Sequence, residues 1–163
     1  MNWMKKVAVA LVCLLPLGLQ AAKIDTLQVK SPSMNKSIEV VVVSPDVAAT
    51  EACPVIYLLH GYGGNARTWV GIKPDLPKIA DEKGVFFVCP DGKNTWYWDS
   101  PLNADVRYET FISDELVKYV DSHYKTVADR KGRAITGLSM GGHGAMWNGL
   151  RHSDVFSAAG STS

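Results

Sequence analysis

Ser139 stands in a sequence that suits a nucleophile. The motif Gly137-Leu138-Ser139-Met140-Gly141 follows a short strand-like run and precedes a stretch, 140–150, that can form a helix. A serine on such a tight strand-to-helix turn has strained backbone angles, and side chains two residues away on either side would collide, so glycine is needed there. The first N–H groups of the helix point at the space beside the serine. We therefore expect Ser139 to attack a carbonyl carbon and the Met140 N–H to stabilise the oxyanion that forms.

A second segment can supply another oxyanion donor. The apolar run Pro54 to Leu59 predicts a buried parallel strand, and it breaks into the glycine-rich sequence His60-Gly61-Tyr62-Gly63-Gly64-Asn65. A flexible loop at this point can bring backbone N–H groups close to a serine that follows a later strand. By its position in the loop, the Tyr62 N–H is the expected second donor.

The elements that must position these residues alternate between strands and helices. Two opening strands, Ile24 to Val29 and Ser37 to Val43, are expected to pair in antiparallel fashion. The other expected elements are a helix at Leu76 to Lys83, a strand at Val85 to Cys89, an amphipathic helix at Tyr108 to Tyr124, and one more strand that begins with the segment Val155 to Gly160. This order predicts an α/β domain with a mainly parallel sheet and helices on both faces.

Four segments carry a resemblance to a known family: His60 to Gly64, Trp-Tyr-Trp-Asp-Ser at 96–100, Arg-Tyr-Glu-Thr-Phe at 107–111, and the long elbow segment Gly137 to Ala145. With these motifs the chain after residue 23 resembles the esterase D family. That family includes S-formylglutathione hydrolases, feruloyl and acetyl xylan esterases, and mycolyltransferases. The resemblance implies an α/β-hydrolase fold and acyl transfer to water through a Ser, His, Asp triad. It makes Ser139 the nucleophile and the Tyr62 and Met140 amides the oxyanion hole.

The resemblance also implies that the triad acid and histidine lie beyond Ser163, where members of that family continue. Residues 23–163 are therefore expected to be the N-terminal part of a single α/β-hydrolase domain, truncated before its last strands and helices. Without those two residues Ser139 would be a poor nucleophile at neutral pH. The chain as given is expected to be inactive.

None of the histidines inside the chain is expected to act as the base. His143 lies four residues after Ser139 and faces along the elbow helix, while His152 lies about three turns into the same helix, too far from Ser139 to take its proton. His60 is expected to hold the glycine loop by hydrogen bonds, and His123 to lie on the Tyr108 to Tyr124 helix. His143 is expected to pack or to line the edge of the substrate site.

Three consecutive aromatic residues interrupt the polar loop Asn94 to Pro101. The loop leaves the carboxyl end of a strand, at the sheet edge where open α/β sheets bind ligands. Exposed rings there would suit a sugar ring or an aromatic acyl group, but they could equally cover an edge of the sheet. The candidate substrate-binding residues are Trp96, Trp98, His60 and His143.

The first 22 residues have the pattern of a secretory signal peptide. Lys5 and Lys6 precede the apolar run 7–15, Pro16 then breaks the run, and Gln20-Ala21-Ala22 offers small residues for cleavage. The apolar stretch is shorter than the ~20 residues that a membrane-spanning helix needs. We therefore expect a secreted or periplasmic protein without a stable membrane anchor.

The composition after residue 22 excludes some partners. Two of the 17 Lys and Arg residues precede it, which leaves 15 basic against 16 acidic side chains and no electrostatic case for nucleic-acid binding. No metal or cofactor is expected, and the oligomeric state stays open. Cys53 and Cys89 fall at opposite ends of two strands expected to be neighbours, which is too far apart for a disulfide, so free thiols are expected.

The sequence thus favours a secreted serine carboxylic-ester hydrolase that acts through an acyl-enzyme on Ser139. Carbohydrate-linked esters or other small acyl esters are the expected substrates. Three alternatives remain: an acyltransferase to a sugar hydroxyl, a truncated non-catalytic protein that binds carbohydrate, and a thioesterase similar to S-formylglutathione hydrolase.

Overall fold

The computed structural model describes residues 22–162, so all of the predicted signal peptide except Ala22 lies outside the described residues, as does Ser163. The strands are β1 Lys23–Ser31, β2 Lys36–Ser44, β3 Val55–Leu59, β4 Phe86–Pro90, β5 Arg133–Gly137 and β6 Ala158–Ala159. They form one sheet in the order β1-β2-β4-β3-β5-β6. Strands β4, β3, β5 and β6 are parallel, and β2 pairs antiparallel with both β1 and β4. The predicted opening antiparallel pair and the mainly parallel sheet are confirmed.

The helices are α1 Thr68–Ile72, α2 Leu76–Lys83, α3 Tyr108–Thr110, α4 Leu116–His123 and α5 Met140–Arg151. Between α3 and α4 lies a π-helical turn, Phe111–Glu115, so the predicted helix at 108–124 is one continuous helical stretch with a wider turn in its middle. Helix α2 has the predicted bounds and ends at Gly84, whose φ of 61° is the left-handed conformation that glycine adopts readily. No helix within residues 22–162 combines the length and the apolar character needed to cross a membrane.

Buried side chains fill both faces of the sheet. Alternate residues of a strand point to opposite faces, and β2 illustrates this: Val40 and Val42 belong to one cluster, Val41 and Val43 to the other. The first cluster packs under the α3–α4 stretch and α5, and the second under α1 and α2. The helices therefore cover both faces, as predicted, and the carboxyl edge of the parallel strands is left for the connecting loops.

The last strand is shorter than the sequence pattern predicts. Val155 and Phe156 lie in a turn after α5, where both N–H groups donate to the His152 carbonyl. The Phe156 ring then enters the core and meets the Tyr57 ring edge-on at a centroid distance of 5.7 Å. The apolar character of Phe156 thus reflects core packing rather than strand pairing, and β6 is confined to Ala158–Ala159.

The two cysteines within residues 22–162 are free and buried. Cys53 lies before the amino end of β3 and pairs by its backbone with Lys125 and Val127, whereas Cys89 lies near the carboxyl end of β4. Strands β3 and β4 are parallel neighbours, so the thiols are at opposite ends of adjacent strands. The predicted separation is confirmed.

Candidate active site

Ser139 lies two residues after β5 and directly before α5. Its backbone has φ 54° and ψ −117°, a strained conformation for a residue that is not glycine. A β-carbon on Gly137 would overlap the backbone of Gly141, and one on Gly141 would overlap the Leu59 carbonyl. The two glycines therefore allow the chain to turn tightly against β3, and the turn leaves the Ser139 side chain exposed at the carboxyl edge of the sheet.

The loop after β3 lies directly against this turn. A β-carbon built on Gly61 would lie 3.6 Å from the Ser139 Cβ and 3.3 Å from the Leu138 carbonyl oxygen. The Tyr62 N–H, which follows Gly61, and the Met140 N–H at the start of α5 donate no hydrogen bond to any described residue. Both amides are thus without a hydrogen-bond partner among the described residues, and the two oxyanion donors predicted from the sequence stay a prediction. The Tyr62 side chain itself is 67% exposed.

His60 holds the loop from below. Its ring is 1% exposed, its Nδ1 lies 2.7 Å from the Gly61 carbonyl oxygen, and its Nε2 accepts the Gly92 N–H at 2.9 Å. Because Gly92 can only donate, Nε2 carries no proton and Nδ1–H donates to Gly61. The expected hydrogen bonding to the loop agrees with this arrangement. Both ring nitrogens are occupied and the ring is buried; the role of His60 in substrate binding stays a prediction.

A buried carboxylate anchors the segment that His60 contacts. Asp91 accepts the Lys93 N–H at 2.9 Å and the Lys93 ammonium at 2.6 Å. Burial works to raise the pKa of the Asp91 carboxyl, but the hydrogen bonds from Lys93 outweigh it and lower the pKa below its usual range. The His60 Nε2 already accepts from Gly92, so the bonds from Lys93 are the contacts that keep Asp91 ionised. The Asn94 Oδ1 accepts the Gly63 N–H at 2.8 Å and joins this segment to the loop.

Four aromatic side chains form one surface beside the serine, which we call the aromatic cluster: Trp96, Trp98, His143 and Trp147. His143, one helical turn after Ser139, meets the rings of Trp96 and Trp98 edge-on at centroid distances of 5.3 and 6.5 Å and stacks on Trp147 at 6.1 Å. Trp96, Trp98 and His143 line a cleft of about 300 Å³. Trp96 and Trp98 are 43% and 45% exposed, so both keep ring surface free for a ligand.

The Ser139 Oγ makes no hydrogen bond to any residue within 22–162. Each histidine has another partner: His143 contacts the Trp96 carbonyl, His152 contacts Glu109, and His123 contacts the Tyr119 carbonyl. His60 lies beneath the loop. The described residues therefore hold a serine and two available amides without a base in contact with the serine.

The residues that support the aromatic cluster from inside are not among the site residues predicted from the sequence. Tyr97 is fully buried, and the Asn148 side chain donates to its carbonyl at 3.0 Å. Glu109 accepts hydrogen bonds from Trp147 Nε1 at 2.7 Å and from Arg151 and His152 at 2.8 Å each. The spacing of His143 and Trp147, four residues apart on α5, is the one sequence signal that could have placed Trp147 in the cluster.

No group of three or more His, Cys, Asp or Glu side chains among residues 22–162 is arranged to hold a metal ion. A strained serine between a parallel strand and a helix, at the carboxyl edge of a mixed sheet with helices on both faces, defines the α/β-hydrolase fold. The sequence matches the family model described as "Putative esterase" over residues 31–163. The chain belongs to this esterase family, and the predicted esterase D resemblance and fold are confirmed.

Individual relatives agree with this assignment. An acetyl esterase of Caldicellulosiruptor saccharolyticus is 32% identical over 108 residues, which are 66% of this chain and 40% of that protein. An endo-1,4-beta-xylanase/feruloyl esterase of Xylanibacter ruminicola is 34% identical over 116 residues, 65% of this chain and 16% of that protein. The solved structure of a ferulic acid esterase has a TM-score of 0.72 at 31% identity and covers 83% of this chain and 55% of that one. The chain thus spans about half or less of the length of these relatives.

Proposed function

We propose that the complete protein is a serine carboxylic-ester hydrolase with Ser139 as its nucleophile. The observation that carries this proposal is the strained Ser139 backbone, φ 54° and ψ −117°, with the available Tyr62 and Met140 amides beside it. Strained backbone of this kind persists where the surrounding structure enforces it, most often at functional sites. The fold and the family of the chain support the same chemistry.

The reaction proceeds through an acyl-enzyme. The Ser139 Oγ bonds to the acyl carbon while its proton passes to a general base, and the carbonyl oxygen becomes an oxyanion held by the Tyr62 and Met140 N–H groups. Collapse of this intermediate breaks the ester C–O bond, and the alcohol leaves with the proton from the base. Water then attacks the acyl group in the same way and frees the acid and the serine.

The general base and its orienting carboxylate belong, in this proposal, to the part of the complete protein outside residues 22–162. Support comes from the four histidines of the described part, each of which is engaged away from the Ser139 Oγ. A base must come within about 2.6–3.2 Å of the hydroxyl that it deprotonates. The chain on its own is therefore expected to hydrolyse esters negligibly.

Carbohydrate-linked acyl esters are the proposed substrates. The aromatic cluster presents the half-exposed Trp96 and Trp98 rings around His143, which lies one helical turn after Ser139. Flat apolar surfaces of this kind suit a sugar ring or an aromatic acyl group. The names of the relatives, acetyl esterase and xylanase/feruloyl esterase, favour the same class. Export by the predicted signal peptide would place the protein outside the cytoplasm, where it would meet extracellular or periplasmic esters.

A second candidate function is carbohydrate binding without turnover. The absence of any hydrogen bond to the Ser139 Oγ within the described residues favours it. The two functions differ in whether binding to the aromatic cluster leads to release of the acyl group.

Expression of the complete reading frame, followed by assay of acid release from acetylated and feruloylated xylo-oligosaccharides, separates these functions. The hydrolase proposal predicts turnover that falls by at least about 1,000-fold in Ser139→Ala. Saturable binding of the oligosaccharide with no acid released would instead support the binding protein. Addition of an unesterified sugar acceptor to the same assay would reveal acyl transfer as a new sugar ester.

A further inference from the structure

We propose that Tyr97 is a positioning residue that fixes the separation between the two oxyanion donors. This inference rests on the proposed function of the Tyr62 and Met140 amides. Tyr97 contacts both elements that carry these amides, the loop after β3 and helix α5, and it occupies a strained backbone conformation to do so.

The first contact fixes the loop. The Tyr97 hydroxyl donates to the His60 carbonyl oxygen at 3.1 Å, two residues before the Tyr62 amide, and the two rings meet edge-on at 5.7 Å. Tyr97 is fully buried, and this burial raises the pKa of its phenol, so the hydroxyl remains a protonated donor. The backbone from which the Tyr62 N–H extends is thus held by a buried hydrogen bond.

The second contact fixes helix α5. A β-carbon on Gly144 would lie 2.5 Å from the Tyr97 ring, so the ring packs directly on the helix backbone one turn after Met140. Asn148 Nδ2 donates to the Tyr97 carbonyl at 3.0 Å and to the Gly144 carbonyl at 2.9 Å. Helix α5 therefore holds both the ring and the backbone of Tyr97, and the first residue of this helix, Met140, supplies the second oxyanion donor.

The backbone at Tyr97 is strained. Trp96 and Tyr97 have φ of 59° and 60°, a left-handed conformation that is strained for bulky residues. With this backbone conformation the Tyr97 ring lies in the core, while Trp96 and Trp98 stay nearly half exposed. The same three residues therefore present the aromatic cluster to substrate and hold the oxyanion loop against the helix.

Tyr97→Phe removes the hydroxyl and leaves the ring. Tyr57→Phe is the matched control, because Tyr57 is equally buried and its hydroxyl has no hydrogen-bond partner among residues 22–162. In the complete protein, Tyr97→Phe is expected to lower kcat for a small chromogenic acetate ester about tenfold with KM unchanged, since the lost bond orients groups that act on the transition state. Tyr57→Phe is expected to leave both constants within about twofold of the wild type.

A second measurement does not depend on turnover. The Gly63 and Gly64 amides of the loop donate to Asn94 Oδ1 and to the Gly61 carbonyl. Their hydrogen exchange, followed in this chain by NMR, is expected to be about tenfold faster in Tyr97→Phe and unchanged in Tyr57→Phe. If the wild-type complete protein has no esterase activity, the proposed function fails while the exchange result still decides whether Tyr97 holds the loop. Unchanged kcat and unchanged exchange in Tyr97→Phe, or equal effects of both variants, would overturn the inference.

Discussion

A β-carbon built on Gly141 would lie 2.1 Å from the carbonyl oxygen of Leu59, so this oxygen leaves no room for a side chain at position 141. The same oxygen accepts the Leu138 N–H at 3.2 Å and the Trp69 indole N–H at 3.1 Å. Because Leu59 ends β3 and Gly141 lies in the first turn of α5, this contact sets the distance between the strand that carries the Tyr62 loop and the helix that carries the Met140 amide.

Gly141→Ala is expected to lower the free energy of unfolding by about 1–3 kcal/mol, because a β-carbon there must displace the end of β3. Gly71→Ala is the control: Gly71 is in α1, and a β-carbon there meets nothing within 4 Å. That change is expected to be neutral or to stabilise by up to about 1 kcal/mol. Urea denaturation of both variants measures the difference in their free energies of unfolding. Equal values would show that the backbone at Leu59 has room for a β-carbon on residue 141.

Glu109→Gln is expected to destabilise the chain in a pH-dependent way. Burial tends to raise the pKa of the Glu109 carboxyl, but hydrogen bonds from Arg151, Trp147 and His152 outweigh it and lower the pKa below its usual value. A carboxylate whose pKa is lower in the folded than in the unfolded state stabilises the folded protein. This contribution is complete at pH values above the unfolded-state pKa and is lost as the pH falls through the folded-state pKa. At pH 7 the free energy of unfolding of Glu109→Gln should be about 1–3 kcal/mol lower than that of the wild type.

Thermal or urea unfolding at pH 7 and at progressively lower pH tests this expectation. The difference between wild type and Glu109→Gln should narrow on acidification, because the wild-type carboxylate becomes protonated. Asp114→Asn serves as the control, since the exposed Asp114–Lys118 pair on one helical turn should contribute less than about 0.5 kcal/mol. A difference that is constant with pH would show that the charge of Glu109 does not stabilise α5.

Trp98→Ala is expected to raise KM of the complete protein for an esterified xylo-oligosaccharide about three- to tenfold, the loss of roughly 0.5–1.5 kcal/mol of aromatic contact. Leu102→Ala is the comparison, because Leu102 follows in the same connection and is 95% exposed. Steady-state kinetics should show no change for Leu102→Ala. An unchanged KM in Trp98→Ala would mean that the aromatic cluster only covers the surface of the sheet.

Both cysteines are expected to resist thiol reagents in the folded state. Burial raises the pKa of Cys89 to about 12, and burial together with the charge of Glu51 raises the pKa of Cys53, so neither forms the reactive thiolate near neutral pH. In a form of the chain that begins at Ala22, the two thiols should react with a chromogenic disulfide reagent only after unfolding in guanidinium chloride, when two equivalents of the chromophore are released. Rapid labelling without denaturant, or a Cys53–Cys89 cross-link, would contradict the packing of β3 and β4.

Local patterns were sufficient to predict most of the fold. Apolar runs and glycine positions placed β3, α2 and the Ser139 turn, because these features depend on neighbouring residues. The strand predicted from the apolar pattern is wrong at Phe156, because the Phe156 side chain packs in the core against Tyr57, which is distant in the sequence. Periodicity cannot distinguish those two uses of a short apolar segment.

The candidate site was predictable only in part, for the same reason. Gly137, Ser139 and Gly141 follow from the sterics of one turn. The partner of His60 is the Gly92 N–H, 32 residues away, and no local signal predicts that such a bond buries the ring. The inward direction of Tyr97 depends on positive φ at two aromatic residues, a conformation that sequence propensities disfavour.

The central claim, that Ser139 is the nucleophile, is tested most directly by covalent labelling. The complete protein would be treated with a small fluorophosphonate ester, digested with trypsin and analysed by mass spectrometry. Cleavage after Arg133 and Arg151 releases a peptide in which Ser139 is the one serine. We expect a phosphonyl adduct on this peptide, formed with displacement of fluoride, and no adduct on it in Ser139→Ala. An active enzyme that carries no adduct on Ser139, or that is labelled equally in Ser139→Ala, would contradict the central claim.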